Sequence, residues 1–218
     1  MKISVITIFP ELFLPFTQVG VLGRAVTKKI VQIDCYNPRD WASPPHYQVD
    51  DSPYGGGPGM VMRPEPLANC LDAAIATYSK PPQVILLTPT GGQFRQSVAC
   101  SLSQEEGLIL ICGRYEGIDQ RIIDAYVTTS LTIGNYILTG GEVAAMVVIE
   151  ATSRLIPGVL GNQISREDES IASDNSFHGE APLYTKPRVF RGKEVPEILL
   201  SGDHARIASW RKKKATSD

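Results

Sequence analysis

Histidine is scarce in this chain, and cysteine carries no pattern. The three histidines, His46, His178 and His204, have no metal-ligand spacing, and the four cysteines at 35, 70, 100 and 112 include no CxxC pair. Neither a zinc site nor a disulfide framework is suggested, and no metal is expected. Cys35, Cys100 and Cys112 lie in or beside apolar stretches, where buried thiols are expected. No apolar run reaches the roughly 18 residues that a membrane span needs. Only Lys2 precedes the first apolar stretch, so the layout of a secretory signal is missing. A cytoplasmic protein without a membrane partner is the expectation. No Gly-Lys-Ser/Thr closes a phosphate loop, and no GxGxxG is followed by an acid. Nucleotide hydrolysis and a Rossmann dinucleotide site therefore lack support.

What is present is an alternation. With 218 residues, 43% of them apolar, the chain has material for one ordinary soluble domain and a small second one. Strands are predicted at 3–9, 31–36, 84–88, 108–112 and 127–133. Most are nearly continuous in Ile, Val and Leu, as strands covered on both faces must be. Helical patterns fall between and after them, at 21–29, 64–76, 95–102, 120–125 and 142–155. Pro64 suits a first helical position, where its missing N–H is no loss. The pattern predicts an α/β fold with a mainly parallel sheet.

Charge divides the chain further. Residues 1–160 carry 11 basic and 14 acidic side chains, residues 161–185 carry 1 and 5, and residues 186–218 carry 9 and 4. The first part is read as the main domain and the acidic middle as an interdomain linker. The last part is read as a small, basic, helical domain with elements at 195–200 and 204–214. Its run Arg211-Lys212-Lys213-Lys214 is either a solvated helix end or a phosphate-contacting surface.

Four segments combine glycine with polar residues. Pro53-Tyr54-Gly55-Gly56-Gly57-Pro58-Gly59 would let backbone approach a ligand or another backbone closely, or is a plain flexible connector. Pro89-Thr90-Gly91-Gly92 reads as a turn after the strand at 84–88. Gly113-Arg114-Tyr115-Glu116-Gly117-Ile118-Asp119 follows the strand at 108–112, and Ile133-Gly134-Asn135-Tyr136-Ile137-Leu138-Thr139-Gly140-Gly141-Glu142 follows the strand at 127–133. The last three lie at strand ends, where α/β sheets bind ligands, and so form one candidate cavity.

These residues, with Ile8-Phe9-Pro10, Pro38-Arg39-Asp40, Ser153-Arg154, Ile156-Pro157-Gly158-Val159-Leu160-Gly161, Leu199-Leu200-Ser201-Gly202 and Trp210-Arg211, resemble the bacterial tRNA (guanine-N1)-methyltransferases of the SPOUT superfamily from end to end. The resemblance implies a deep trefoil knot, a rare exception to ordinary topology. It also implies a homodimer with its active site between subunits, the anticodon branch of tRNA as partner, and S-adenosylmethionine as donor. The donor would be held by Pro89, Gly91, Gly113, Tyr115, Glu116, Ile133, Gly134, Asn135, Tyr136, Ile137, Leu138, Gly140 and Gly141.

The implied reaction places a methyl group on N1 of the guanosine at tRNA position 37. N1 is protonated at neutral pH, so a carboxylate must remove that proton as attack proceeds, worth roughly 10²–10⁴-fold. Arg154 matches the family arginine and suits guanine O6. In Ser165-Arg166-Glu167-Asp168-Glu169-Ser170 the family usually has aspartate where Glu169 stands. Gap-free register makes Glu169 the base, with Asp168 the close alternative and Asp174 a third. Asn135 replaces a commonly acidic neighbour. Relatives commonly continue beyond Trp210-Arg211 through further helices, so either the sequence is cut there or the small domain is reduced. A catalytically weak RNA-binding protein that keeps the donor pocket is the competing reading.

Overall fold

Five strands make one sheet: β1 (Lys2–Ile6), β2 (Gln32–Tyr36), β5 (Gln83–Gln93), β6 (Gly107–Cys112) and β7 (Thr129–Thr132), in the order β2-β1-β6-β5-β7. Every neighbouring pair is parallel. A separate antiparallel pair joins β3 (Asp50–Asp51) to β4 (Val61–Met62). The computed structural model describes residues 1–160 and 181–215. The chain divides into two units, Met1–Gln163 and Ile164–Asp218.

The central strand explains the architecture. All six residues of β6 are buried. Leu108, Leu110 and Cys112 enter one apolar cluster, and Ile109 and Ile111 enter the other. Period-two alternation thus feeds two cores, which is why the strand reads as an unbroken apolar run. Fully burying each Leu or Ile contributes roughly 1.5–3 kcal/mol. The first cluster is covered by Leu22 and Ala25 of α2 (Gly20–Thr27) and by Ala144, Ala145, Val148 and Ile149 of α6 (Glu142–Ser153). The second is covered by Leu67, Cys70, Leu71 and Ala74 of α3 (Pro64–Ile75) and by Ile122 of α5 (Gln120–Tyr126). The buried Ser4 hydroxyl lies 2.8 Å from the Tyr78 hydroxyl, which also donates to the Leu108 carbonyl.

The strands of the main sheet and most helices of the first unit follow the sequence reading, but several features differ. Pro89-Thr90-Gly91-Gly92 is not a turn that ends a strand. It lies inside β5, where Leu87 and Gly92 both pair with Leu131 and the intervening residues bulge from the ladder. A short α1 (Phe13–Phe16), preceded by a 3-10 turn at Pro10–Leu12, went unread because two prolines interrupt its periodicity. Cys35 and Cys100 are only half-buried, whereas Cys70 and Cys112 are buried. The remaining helix of the first unit, α4 (Gln96–Leu102), stands where expected.

In the second unit the described residues hold an antiparallel pair, β8 (Val189–Phe190) with β9 (Lys193–Glu194), then a 3-10 turn at Glu197–Leu200 and α7 (His204–Ala215). The expected helix at 195–200 is therefore a single 3-10 turn, and a strand pair accompanies the helical elements.

Candidate active site

From β5 the chain passes through α4 to β6, then crosses over β5 to reach β7. The bulged stretch of β5 and the loops after β6 and β7 converge there. They enclose a cavity of about 390 Å³ lined by Leu86–Pro89, Gly113–Ile118, Ile123, Leu131–Ile133, Tyr136–Gly141 and Ala144. That size is within the range of small-molecule sites, about 300–1,000 Å³.

Two glycines let the segments meet. A Cβ on Gly91 would lie 2.5 Å from the backbone nitrogen of Leu131, and one on Gly141 would lie 2.7 Å from Cys112 Cα. Both neighbours are backbone, so neither can yield. The Gly141 N–H donates to the Gly113 carbonyl at 3.0 Å, tying the loop before α6 to the end of β6.

The loop after β6 is fixed from its other side. Glu116 N–H donates to the Met60 carbonyl at 2.9 Å, and Met62 N–H donates to the Gly117 carbonyl at 2.9 Å. Tyr115 reaches a left-handed φ of 60°, and Gly117 lies at φ 143°. Burial raises the Tyr115 hydroxyl pKa, the nearby Asp50 carboxylate adds to it, and Arg39 opposes it. Asp119 closes the loop by capping α5: its carboxylate accepts from the Arg121 N–H at 3.0 Å. Its own pKa is lowered, chiefly by the hydrogen bond from the Arg121 side chain.

Beneath the cavity lies a polar network. Glu142 is 1% exposed and accepts from Thr7 Oγ1 at 3.0 Å. Arg114 Nε lies 3.1 and 2.9 Å from the two Glu142 carboxylate oxygens, and its Nη2 lies 2.9 Å from Oε2. Arg114 Nη1 donates to the Thr139 carbonyl at 3.3 Å, and the guanidinium stacks 4.6 Å from the Phe9 ring centroid. Breaking such a buried pair by removing one partner costs roughly 3–5 kcal/mol.

Of the residues expected at the donor site, Pro89, Gly113, Tyr115, Glu116, Ile133, Tyr136, Ile137, Leu138, Gly140 and Gly141 line the cavity. Gly91, Gly134 and Asn135 stand beside it in the same segments without lining it. Arg154 caps the C-terminal end of α6, away from the cavity lining. Glu169, Asp168 and Asp174 lie outside the described residues. Sequence reading missed Arg114, Glu142 and Thr7 as a unit. The available signal was a lone carboxylate opening an otherwise apolar first turn, Glu142-Val143-Ala144-Ala145. Among the described residues no group of His, Cys, Asp and Glu is arranged to hold a metal, and no helix is long and apolar enough to cross a membrane.

Comparison with known proteins adds the family. The family profile described as tRNA (Guanine-1)-methyltransferase TrmD matches residues 1–218. A Dehalococcoides mccartyi protein named tRNA (guanine-N(1)-)-methyltransferase is 49% identical over 217 residues, covering 99% of this chain and 86% of that protein. A Carboxydothermus hydrogenoformans protein of the same name is 50% identical over 215 residues, covering 99% and 83%. A Parafrankia protein, again so named, is 49% identical over 218 residues, covering 99% and 75%. A glycine-crossed cavity at parallel strand ends and a match along the whole chain agree: the chain belongs to the tRNA (guanine-1)-methyltransferase family.

Proposed function

We propose that this chain methylates N1 of the guanosine at position 37 of tRNA, beside the anticodon, in the cytoplasm, with S-adenosylmethionine as donor. The family match along the whole chain carries the reading. The cavity fits that donor. Leu86, Leu87, Ile133 and Leu138 give an apolar wall, and glycines leave backbone groups within reach. Arg114 and Glu116 are the charged side chains of the lining among the described residues, and Arg114 is neutralised by Glu142. Glu116 therefore leaves the wall net negative, which suits a cationic ligand. S-adenosylmethionine supplies an electrophilic methyl group on a sulfonium.

The chain must then supply orientation and proton removal. Arg154, with its permanent charge and planar fork, donates to guanine O6 as negative charge builds there. A carboxylate takes the N1 proton: Glu169 by register, with Asp168 and Asp174 as alternatives. We assign residues 1–160 to a donor-binding domain with a deep trefoil knot, residues 161–185 to a linker, and residues 186–218 to a small basic domain for the anticodon branch. A homodimer, with the acid delivered from the neighbouring protomer, completes the site. A catalytically weak RNA binder is not favoured, because relatives about half identical over nearly the whole chain carry an enzyme's name.

The test uses purified protein, labelled S-adenosylmethionine and tRNA transcripts with guanosine or adenosine at position 37. N1-methylguanosine should form only in the first. No product at low salt, where phosphate contacts are strongest, refutes the activity. Single-turnover rates should fall roughly 10²-fold or more for Glu169→Gln and little for Asp168→Asn and Asp174→Asn. The opposite ranking reassigns the base.

A further inference from the structure

Glu142 is the last residue one would place in a core for stability alone. It is 1% exposed, it opens α6, and both carboxylate oxygens are committed to Arg114. An ion pair so deep gains little net stability over an apolar replacement. Its position points elsewhere. The Arg114 side chain is 21% exposed and lines the cavity, whereas Glu142 does not touch it. The cavity thus sees an arginine whose charge is cancelled from behind.

We propose that Glu142 acts through Arg114 as a specificity-determining positioning residue: by cancelling the arginine's charge, it keeps the cavity from disfavouring a cationic donor against its neutral product. The proposal rests on the donor reading above. S-adenosylmethionine carries one more positive charge, the sulfonium, than its demethylated product S-adenosylhomocysteine. An arginine left uncompensated in a partly dry wall would repel the first ligand and spare the second. Thr7 and the Phe9 ring hold the pair in place, the hydroxyl on Glu142 Oε1 and the ring under the guanidinium. The same pair also spans three segments: the loop after β1, the loop after β6 and the start of α6. A merely structural role predicts equal loss of both ligands when it is broken. The electrostatic role predicts unequal loss.

Calorimetric titration of the intact protein with each ligand separates the two. Glu142→Gln should weaken S-adenosylmethionine about tenfold more than S-adenosylhomocysteine, as expected of one uncompensated charge near the site. Equal weakening overturns the proposal. Arg114→Gln, and the double variant Arg114→Gln with Glu142→Gln, lack the unpaired cation. Their ligand ratio should not move against S-adenosylmethionine, and such a shift in either overturns the proposal even where Glu142→Gln does not fold. Wild-type protein that binds neither ligand would sink the donor reading itself. Wild-type binding of both, with equal losses in the variants, would sink only the role of Glu142.

Discussion

Cys70 sits wholly buried in α3, and its thiol is pushed up to about 12 from an ordinary 9.0, first by burial and next by the charge of Asp40. Cys35 is raised to about 11, again first by burial, and the Tyr78 hydroxyl to about 12 from 10.0. These groups bind protons more tightly folded than unfolded. Their contribution is complete below the unfolded values and is lost as pH rises through the folded ones. Thermal stability should therefore stay level up to about pH 9 and fall toward pH 12. Scanning calorimetry across that range checks it. Cys70→Ala should lower the melting temperature at neutral pH yet flatten the alkaline decline. An unchanged slope would show that another group governs it.

At the scale of elements, the start of α6 has least freedom. Gly141 precedes the helix, and any side chain there would meet Cys112 Cα at 2.7 Å. Gly141→Ala must push α6 away from β6, at a cost of roughly 1–3 kcal/mol. Chemical denaturation should register that loss, and donor affinity should fall with it, because Gly140 and Gly141 line the cavity. Stability loss without loss of affinity would separate the helix from the site. The sheet strands were legible because their two-sided burial writes long apolar runs, and most helices because their faces repeat. The strand pair Asp50–Asp51 with Val61–Met62 was not legible. Two residues per strand carry no periodicity, and their pairing depends on the loop around Gly117, distant in sequence. The β5 bulge hid for a related reason. Proline and glycine within four residues signal a turn locally, and only the second pairing to Leu131 keeps the chain in the sheet. The cavity's loops could be read from glycine at strand ends. The Arg114–Glu142 pair could not, since the lone carboxylate that opens α6 marks a helix start but does not name its partner 28 residues earlier.

For the whole molecule, charge separation suggests a division of labour. The last part of the chain carries 9 basic and 4 acidic residues, and α7 ends in Lys212, Lys213 and Lys214. Replacing Arg211, Lys212, Lys213 and Lys214 with glutamine should weaken tRNA binding at least about tenfold at low salt and flatten its salt dependence. Donor affinity should not change. Filter binding at several salt concentrations, beside calorimetry with the donor, decides this. A salt slope equal to wild type would place the RNA contacts elsewhere. The sheet has one more consequence, for synthesis. Lys2 lies opposite Gly107 and Gln83 opposite Leu108, so β6 is the seam that joins the first strands to the later ones. A growing polypeptide that has not yet released that seam from the ribosome holds two unfinished apolar borders at once. Such nascent chains are natural clients for chaperones, and a pause in translation before Gly107 would leave them exposed to aggregation far longer than one placed after the last turn of α6.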